Sequence, residues 1–178
     1  GGVDALTMNA SGFVTLAGDG TWRMGAKSTQ ITAPIVTAES GVTSTLAADG
    51  TLALSGGEQA AVDVTSSGIG ASVNVTGTSV AMDNHWLLSS GLMSVTATTG
   101  DLQVGEHALL DASGTHLTVF EKSYYTDGGK IGLTSQQGNL NIASGAVIDI
   151  SAQAGGGNAG SIALSAAQGN LNTHKNLK

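Results

Sequence analysis

Apolar residues alternate with polar ones in short runs along most of the chain, and the runs are bounded by Gly, Ser, Asn or Asp. Val62-Asp63-Val64-Thr65, Val73-Asn74-Val75-Thr76, Leu102-Gln103-Val104 and Val147-Ile148-Asp149-Ile150-Ser151 are examples. Successive side chains of a strand point to opposite faces, so this pattern predicts short strands with one buried face. The stretch from Ala38 to Leu54 is rich in Ala and Leu, but Gly41, Gly50 and repeated Thr break any helical face. No amphipathic helix is expected.

The runs recur in longer units. Gly129-Lys130-Ile131-Gly132-Leu133-Thr134-Ser135-Gln136-Gln137-Gly138-Asn139-Leu140-Asn141 returns as Gly160-Ser161-Ile162-Ala163-Leu164-Ser165-Ala166-Ala167-Gln168-Gly169-Asn170-Leu171-Asn172, an offset of 160 minus 129, or 31. The segment from Gly91 aligns with that from Gly129 at an offset of 38, which sets Leu110-Asp111 on Ile148-Asp149. Val14 to Met24 aligns with Ser44 to Leu54 at an offset of 30. One such unit cannot bury its own apolar face, so repetition predicts stacked layers that share a core. Unequal offsets predict coils of about 20 residues with variable turns and excursions, an irregular β-helix of about nine coils and roughly 40 Å. Asn139 with Asn170, and Asn141 with Asn172, are expected to stack as hydrogen-bonded amides.

Composition narrows the picture. Only two Trp, two Tyr and two Phe are present, so the apolar 40 % is mostly Ala, Val, Leu and Ile, which suit a narrow interior between sheets. Gly numbers 27 and Pro one, as expected where tight bends are many and nearly every backbone N–H joins a ladder. The net charge is −7, and no Lys or Arg lies between Ser28 and Glu121. Phosphate recognition and anionic membrane surfaces both need cations, which argues against nucleic acid and membrane partners. No apolar run is long enough to span a bilayer. The chain starts at Gly1 with no signal-like stretch, which predicts that residues 1–178 are one segment of something longer.

The blocks Gly129-Lys130-Ile131-Gly132-Leu133, Gln137-Gly138-Asn139-Leu140-Asn141, Val147-Ile148-Asp149-Ile150-Ser151 and Ala154-Gly155-Gly156-Gly157-Asn158-Ala159-Gly160-Ser161-Ile162 resemble the repeats of filamentous-haemagglutinin-type exoproteins. These are large bacterial adhesins and contact-dependent toxins of the two-partner secretion route. The resemblance implies an all-β, right-handed parallel β-helix shaft at the bacterial cell surface or outside the cell. It implies an outer-membrane β-barrel secretion partner, a receptor or glycan on a host or neighbouring cell, and room for homotypic association. The secretion domain of that family carries an Asn-Pro-Asn type motif, whereas the lone proline here is Pro34 in Thr32-Ala33-Pro34-Ile35. The resemblance therefore implies shaft, without enzymatic activity.

Candidate chemistry is sparse. His85, His107, His116 and His174, with Glu106 and Asp111 nearby, show no HxH or HxxxH spacing, so no metal or cofactor is expected. Asp49, Asp101, Asp111 and Asp149 suggest the carboxylates of β-helical carbohydrate-active enzymes, but the cations and aromatics of a sugar cleft are scarce. Gly155 to Gly160 lacks both the Lys-Ser/Thr of a phosphate loop and the Asp of a calcium repeat. Asn9-Ala10-Ser11 and Asn74-Val75-Thr76 are formal glycosylation acceptors at about the frequency chance allows. The clearest departure from the repeat is Phe120-Glu121-Lys122-Ser123-Tyr124-Tyr125-Thr126-Asp127-Gly128-Gly129, with half of the aromatics. It predicts a protruding loop over 120–129 in which Tyr124 and Tyr125 contact a ligand and Lys122 and Asp127 form a polar rim. A cap on the edge of the stack and a self-assembling filament subunit are the competing readings.

Overall fold

The computed structural model describes residues 2–60 and 68–174; the strand expected at 62–65 lies outside them. Short strands form where apolar and polar residues alternate, and turns of Gly, Asp and Asn end each one. β1 (Ala5–Asn9), β2 (Phe13–Leu16) and β3 (Gly20–Met24) make a first circuit, and β4 (Ser28–Thr32), β5 (Ile35–Ala38) and β6 (Thr43–Ala48) a second. β7 (Thr51–Ser55) and β8 (Ser72–Gly77) form the third, followed by β9 (Val80–Met82), β10 (His85–Leu87) and β11 (Leu92–Ala97). β12 (Leu102–Val104), β13 (Leu109–Asp111), the hairpin strands β14 (His116–Val119) and β15 (Lys122–Tyr125), and β16 (Lys130–Ser135) make the fifth. β17 (Leu140–Ile142), β18 (Val147–Asp149) and β19 (Ser161–Ala166) complete the sixth, and β20 (Leu171–Asn172) starts another.

The circuits build the same three sheets, whose strand pairs are all parallel; the third adds described strands to the first and third sheets alone. The first sheet runs β1-β4-β7-β9-β12-β17-β20, the second β2-β5-β10-β13-β18 and the third β3-β6-β8-β11-β16-β19. The protein is thus all-β and built on parallel sheets. Register keeps the inward residues of one layer on those of the next, as in Leu52–Val80–Leu102–Leu140 on the first sheet and Val75–Val95–Leu133–Leu164 on the third. These residues are buried except Leu164, which is half-buried in the last third-sheet strand. A one-residue slip would turn a whole column to solvent, so burial locks the register.

The repeats now have a physical meaning. The 31-residue offset is one layer, since Ile131 pairs with Ile162 and Leu140 with Leu171. The 38-residue offset is also one layer, with Met93 on Ile131 and Leu110 on Ile148; its extra length is the β14–β15 hairpin. The 30-residue alignment is overturned. Trp22 pairs with Leu46, 24 residues on, and Val14 with Val36, 22 on. The shared Asp-Gly-Thr is turn chemistry used at two different corners, before β3 and before β7. Six circuits rather than nine result, because excursions absorb residues that roughly 20-residue coils would have used.

The third circuit differs from the others in its described residues. In the third circuit the chain leaves β7 at Gly56, against Ala33 and Pro34, and returns at Gly68, against Ala38 to Ser40. No described residue between them joins the second sheet, so β5 pairs directly with β10. Trp86 on β10, which pairs with Val36 of β5, is wholly buried and is the largest side chain of the interior among the described residues. Its indole N–H donates to Asn84 Oδ1 at 2.9 Å, and Asn84 Nδ2 donates to the Ala33 carbonyl at 3.0 Å, so no polar atom of the pair is stranded.

Corner side chains join consecutive layers. Backbone N–H groups of Thr43, Asn139, Asn158 and Asn170 donate to the side chains of Asp19, Asp101, Asp127 and Asn139 one layer earlier, at 2.7 to 2.9 Å. Asn172 Nδ2 donates to Asn141 Oδ1 at 2.8 Å, which is the amide stack expected there; Asn139 instead accepts from the Asn170 backbone.

Two stability measurements follow from this packing. Leu133→Asp should cost about 4 kcal/mol or more in denaturant melts, while exposed Gln137→Ala stays within about 0.5 kcal/mol and Leu164→Asp falls between them. Similar values for all three would refute the register. Thr29 sits in the inward column with its hydroxyl buried and unbonded. Thr29→Val should therefore raise stability by about 1 kcal/mol, and a loss would show that the hydroxyl has a role.

Candidate functional site

The hairpin is the one antiparallel strand pair among the described residues, and it leaves the stack between the second and third sheets. His116 pairs with Tyr125, Leu117 with Tyr124, Thr118 with Ser123 and Val119 with Lys122. Only Phe120 and Glu121 connect the strands, with φ of 47° and 63°. Two-residue hairpin turns need left-handed backbone to match strand twist, and Gly or Asn normally supplies it. Here a bulky aromatic and a carboxylate adopt it, at a steric cost of about 1 kcal/mol or more each. Phe120 is 96 % exposed, so it repays none of that cost through burial in this chain.

Cross-strand partners share a face, so the hairpin has two different sides. On one, the rings of His116 and Tyr125 stack at 4.9 Å, and Tyr125 lies beneath Gly155 and Gly156. A Cβ at Gly155 would overlap the Tyr125 ring, so the glycine run is what lets the next layer close over it. The base is anchored by Ser90 Oγ to Thr126 Oγ1 at 2.6 Å, Thr115 N to Thr126 Oγ1 at 2.7 Å and Gln153 Nε2 to the Gly114 carbonyl at 2.6 Å. The other side carries Leu117, Val119 and Tyr124, all exposed. A firmly held stalk thus presents an apolar face and an aromatic tip.

The two tyrosines expected to act together are separated. Tyr124 is on the free face, whereas Tyr125 is built into the base. Asp127 is exposed, and its Oδ1 accepts from the backbone and side-chain N–H groups of Asn158 at 2.7 and 3.2 Å, which ties it to the next layer. Lys122 opposes Val119 next to the turn. Within the loop expected over 120–129, Lys122–Tyr125 is strand, and the projection starts earlier, at His116. Phe120 stands at the turn, and its sequence signal is an aromatic between two alternating runs.

The remaining candidates are dispersed, with one exception. Asp111 and Asp149 stack in register on the second sheet, and each accepts from its own chain, from Ser113 N at 2.8 Å and Ser151 N at 2.9 Å. No hydrogen bond or ion pair among the described residues joins them to Lys130 or the tyrosines. Asp49 pairs with Arg23 at 3.2 Å and Asp101 caps Asn139. His116 belongs to the hairpin, and His174 is exposed. Asn9 is exposed at the end of β1, while Asn74 is half-buried between Thr45 and Ser94 in mid-sheet.

The exception is His107. Its Nδ1 lies 3.1 Å from Asp83 Oδ2, its backbone N–H donates to Asp83 Oδ1 at 2.9 Å, and Glu106 Oε1 is 3.8 Å from Nε2. Glu58 completes a group whose donor atoms all lie within 4.8 Å of one another. These residues are 25 and 24 positions apart, about one layer each, which is why local spacing does not reveal them. The Asp83 hydrogen bond, with the charges of Asp83, Glu106 and Glu58, holds the His107 imidazole above its ordinary value, against a smaller opposing effect of desolvation. Burial lowers His85, partly offset by a hydrogen bond from its ring to the His107 backbone carbonyl.

A proton titration followed by NMR in chelator should therefore show His107 titrating above 6.5 and His85 below it. Because the folded value of His107 is raised, its contribution to stability is full below the unfolded pKa and is lost as pH rises through the folded one. Asp83→Asn should bring the His107 midpoint down; an unmoved midpoint would deny the pairing.

No family model, curated protein or solved structure matches the chain.

Proposed function

We propose that this chain is a shaft segment of a large secreted bacterial surface protein, a right-handed parallel β-helix that holds binding regions away from the cell. The three parallel sheets visited in turn support the helix reading, and the degenerate repeats resemble those of filamentous-haemagglutinin-type exoproteins. Export through an outer-membrane β-barrel partner and a place at the cell surface belong to the same proposal. So does a non-enzymatic role, supported by carboxylates engaged as turn caps and layer ties.

The observation that carries an adhesive role is the hairpin. Outward positions of the third sheet are small and largely hydroxylic, as in the column Thr76, Thr96, Thr134 and Ser165, and offer little for discrimination. Against that ground the hairpin projects Phe120 at a strained tip and Leu117, Val119 and Tyr124 on a free face. Strain kept at an exposed aromatic marks a place selected for contact rather than for stability. Contact then falls on Phe120 and Tyr124, with Lys122 beside them, while Tyr125 supports the stalk.

The test separates the two tyrosines. Phe120→Ser with Tyr124→Ser should abolish binding of the protein to cells or arrayed glycans and leave the melting temperature unchanged or higher. Tyr125→Ser should lower the melting temperature, since it opens a gap under Gly155. Undiminished binding by the Phe120/Tyr124 double variant would remove the hairpin from any adhesive role.

A further inference from the structure

We propose that Glu58, Asp83 and His107 bind one divalent transition-metal ion of the zinc class, which ties three consecutive layers together. The three side chains come from the same corner of the third, fourth and fifth circuits: after β7, after β9 and after β12. The proposal is independent of the adhesive reading.

The geometry suits such an ion. Zinc holds N and O donors at about 2.0 to 2.2 Å, so two ligands of one ion are at most about 4.4 Å apart and roughly 3.4 Å apart in a tetrahedron. His107 Nδ1 and Asp83 Oδ2 are already 3.1 Å apart, and the whole group lies within 4.8 Å. Glu58 is exposed, so a rotation that moves its carboxylate by at most about 1.4 Å brings it to tetrahedral spacing. An imidazole nitrogen with two carboxylates selects borderline transition ions over calcium or magnesium, which prefer oxygen alone. Solvent would complete the coordination.

The scaffold is also built for close approach. Gly57 N donates to the Asp83 carbonyl at 2.8 Å, which pins the short 3-10 turn Gly57–Gln59, and so Glu58, to the layer bearing Asp83. A Cβ at Gly57 would overlap the carbonyls of both His107 and Asp83, and one at Gly105 would overlap the Asp83 carboxylate. Only glycine at both places lets the three layers come this near. Asp83 uses Oδ1 to hold the His107 backbone and leaves Oδ2 toward the shared point. Glu106, 3.8 Å from the far nitrogen of the ring, is placed to orient the imidazole from outside. Three carboxylates surround a single imidazole, an excess of negative charge that a bound cation offsets. The site lies where no described residue of the third circuit joins the second sheet, so the ion would fasten the turn at Gly57–Gln59 to the next two layers.

The test uses the whole chain, stripped with chelator, with zinc and calcium chlorides as probes. Calorimetry should show one zinc per chain and melting should shift upward with zinc, while calcium does neither. His107→Ala should weaken zinc binding at least about tenfold and abolish the shift, and Glu58→Gln should weaken it as well. A His116→Ala/His174→Ala double variant should bind zinc as the parent does. Asp83→Ala removes a layer tie and is judged only if it folds; His107→Ala changes an exposed side chain and keeps the test decisive. Absence of zinc uptake by the parent, uptake undiminished in His107→Ala, loss of uptake in the His116/His174 variant, or equal binding of calcium would each overturn the proposal.

Discussion

Register between stacked parallel strands is the constraint on which the rest of this structure depends. Layers about 4.8 Å apart leave no freedom for a strand to slide, because a slip of one residue would exchange every inward Leu, Val and Ile for an outward Thr or Ser. Each layer inherits its register from the one before. The interior therefore needs only small and branched side chains in columns, and the aromatic-poor composition is sufficient for it.

Length can vary only where register is not at stake. The hairpin and the glycine-rich stretch after β18 are both inserted at the corner between the second and third sheets, and the strands on either side still fall on their partners. In the third circuit no described residue joins the second sheet, so β5 pairs directly with β10, where Trp86 and Asn84 satisfy their buried polar atoms. Asp and Asn side chains at the corners accept backbone N–H groups from the next layer. Corners are thus where polar side chains contribute to cohesion, and where close approach requires glycine.

Those same corners are where chemistry can differ from layer to layer. A column position must resemble its neighbours, but a corner residue need only avoid collision. Hence the hairpin and the His107 cluster both lie at corners, and both have close-packed glycines, Gly155 over Tyr125 at the hairpin base in one case and Gly57 against the His107 and Asp83 carbonyls in the other. Strain at Phe120 and Glu121 is tolerated because the hairpin base is held by the bonds of Thr126, Gln153 and Asp127, so the turn cannot relax without breaking them.

Among the described residues, the sequence by itself determined the strands, the absence of long helices, the inward columns and two of the three repeat registers. Period-2 alternation reports directly on which face is buried, and the 31- and 38-residue offsets connect residues that truly stack. It misled at the 30-residue offset, because Asp-Gly-Thr is turn chemistry and the same turn serves two different corners. It pointed to the aromatic departure but joined Tyr124 and Tyr125, which strand alternation sends to opposite faces once the hairpin register is known. Only the tertiary structure decided that Phe120 stands at the tip, and that Glu58, Asp83 and His107 meet. Their separations of 25 and 24 residues carry no local signal, since proximity across layers depends on the length of each circuit, and that length is set by which corners are extended rather than by any neighbouring residue.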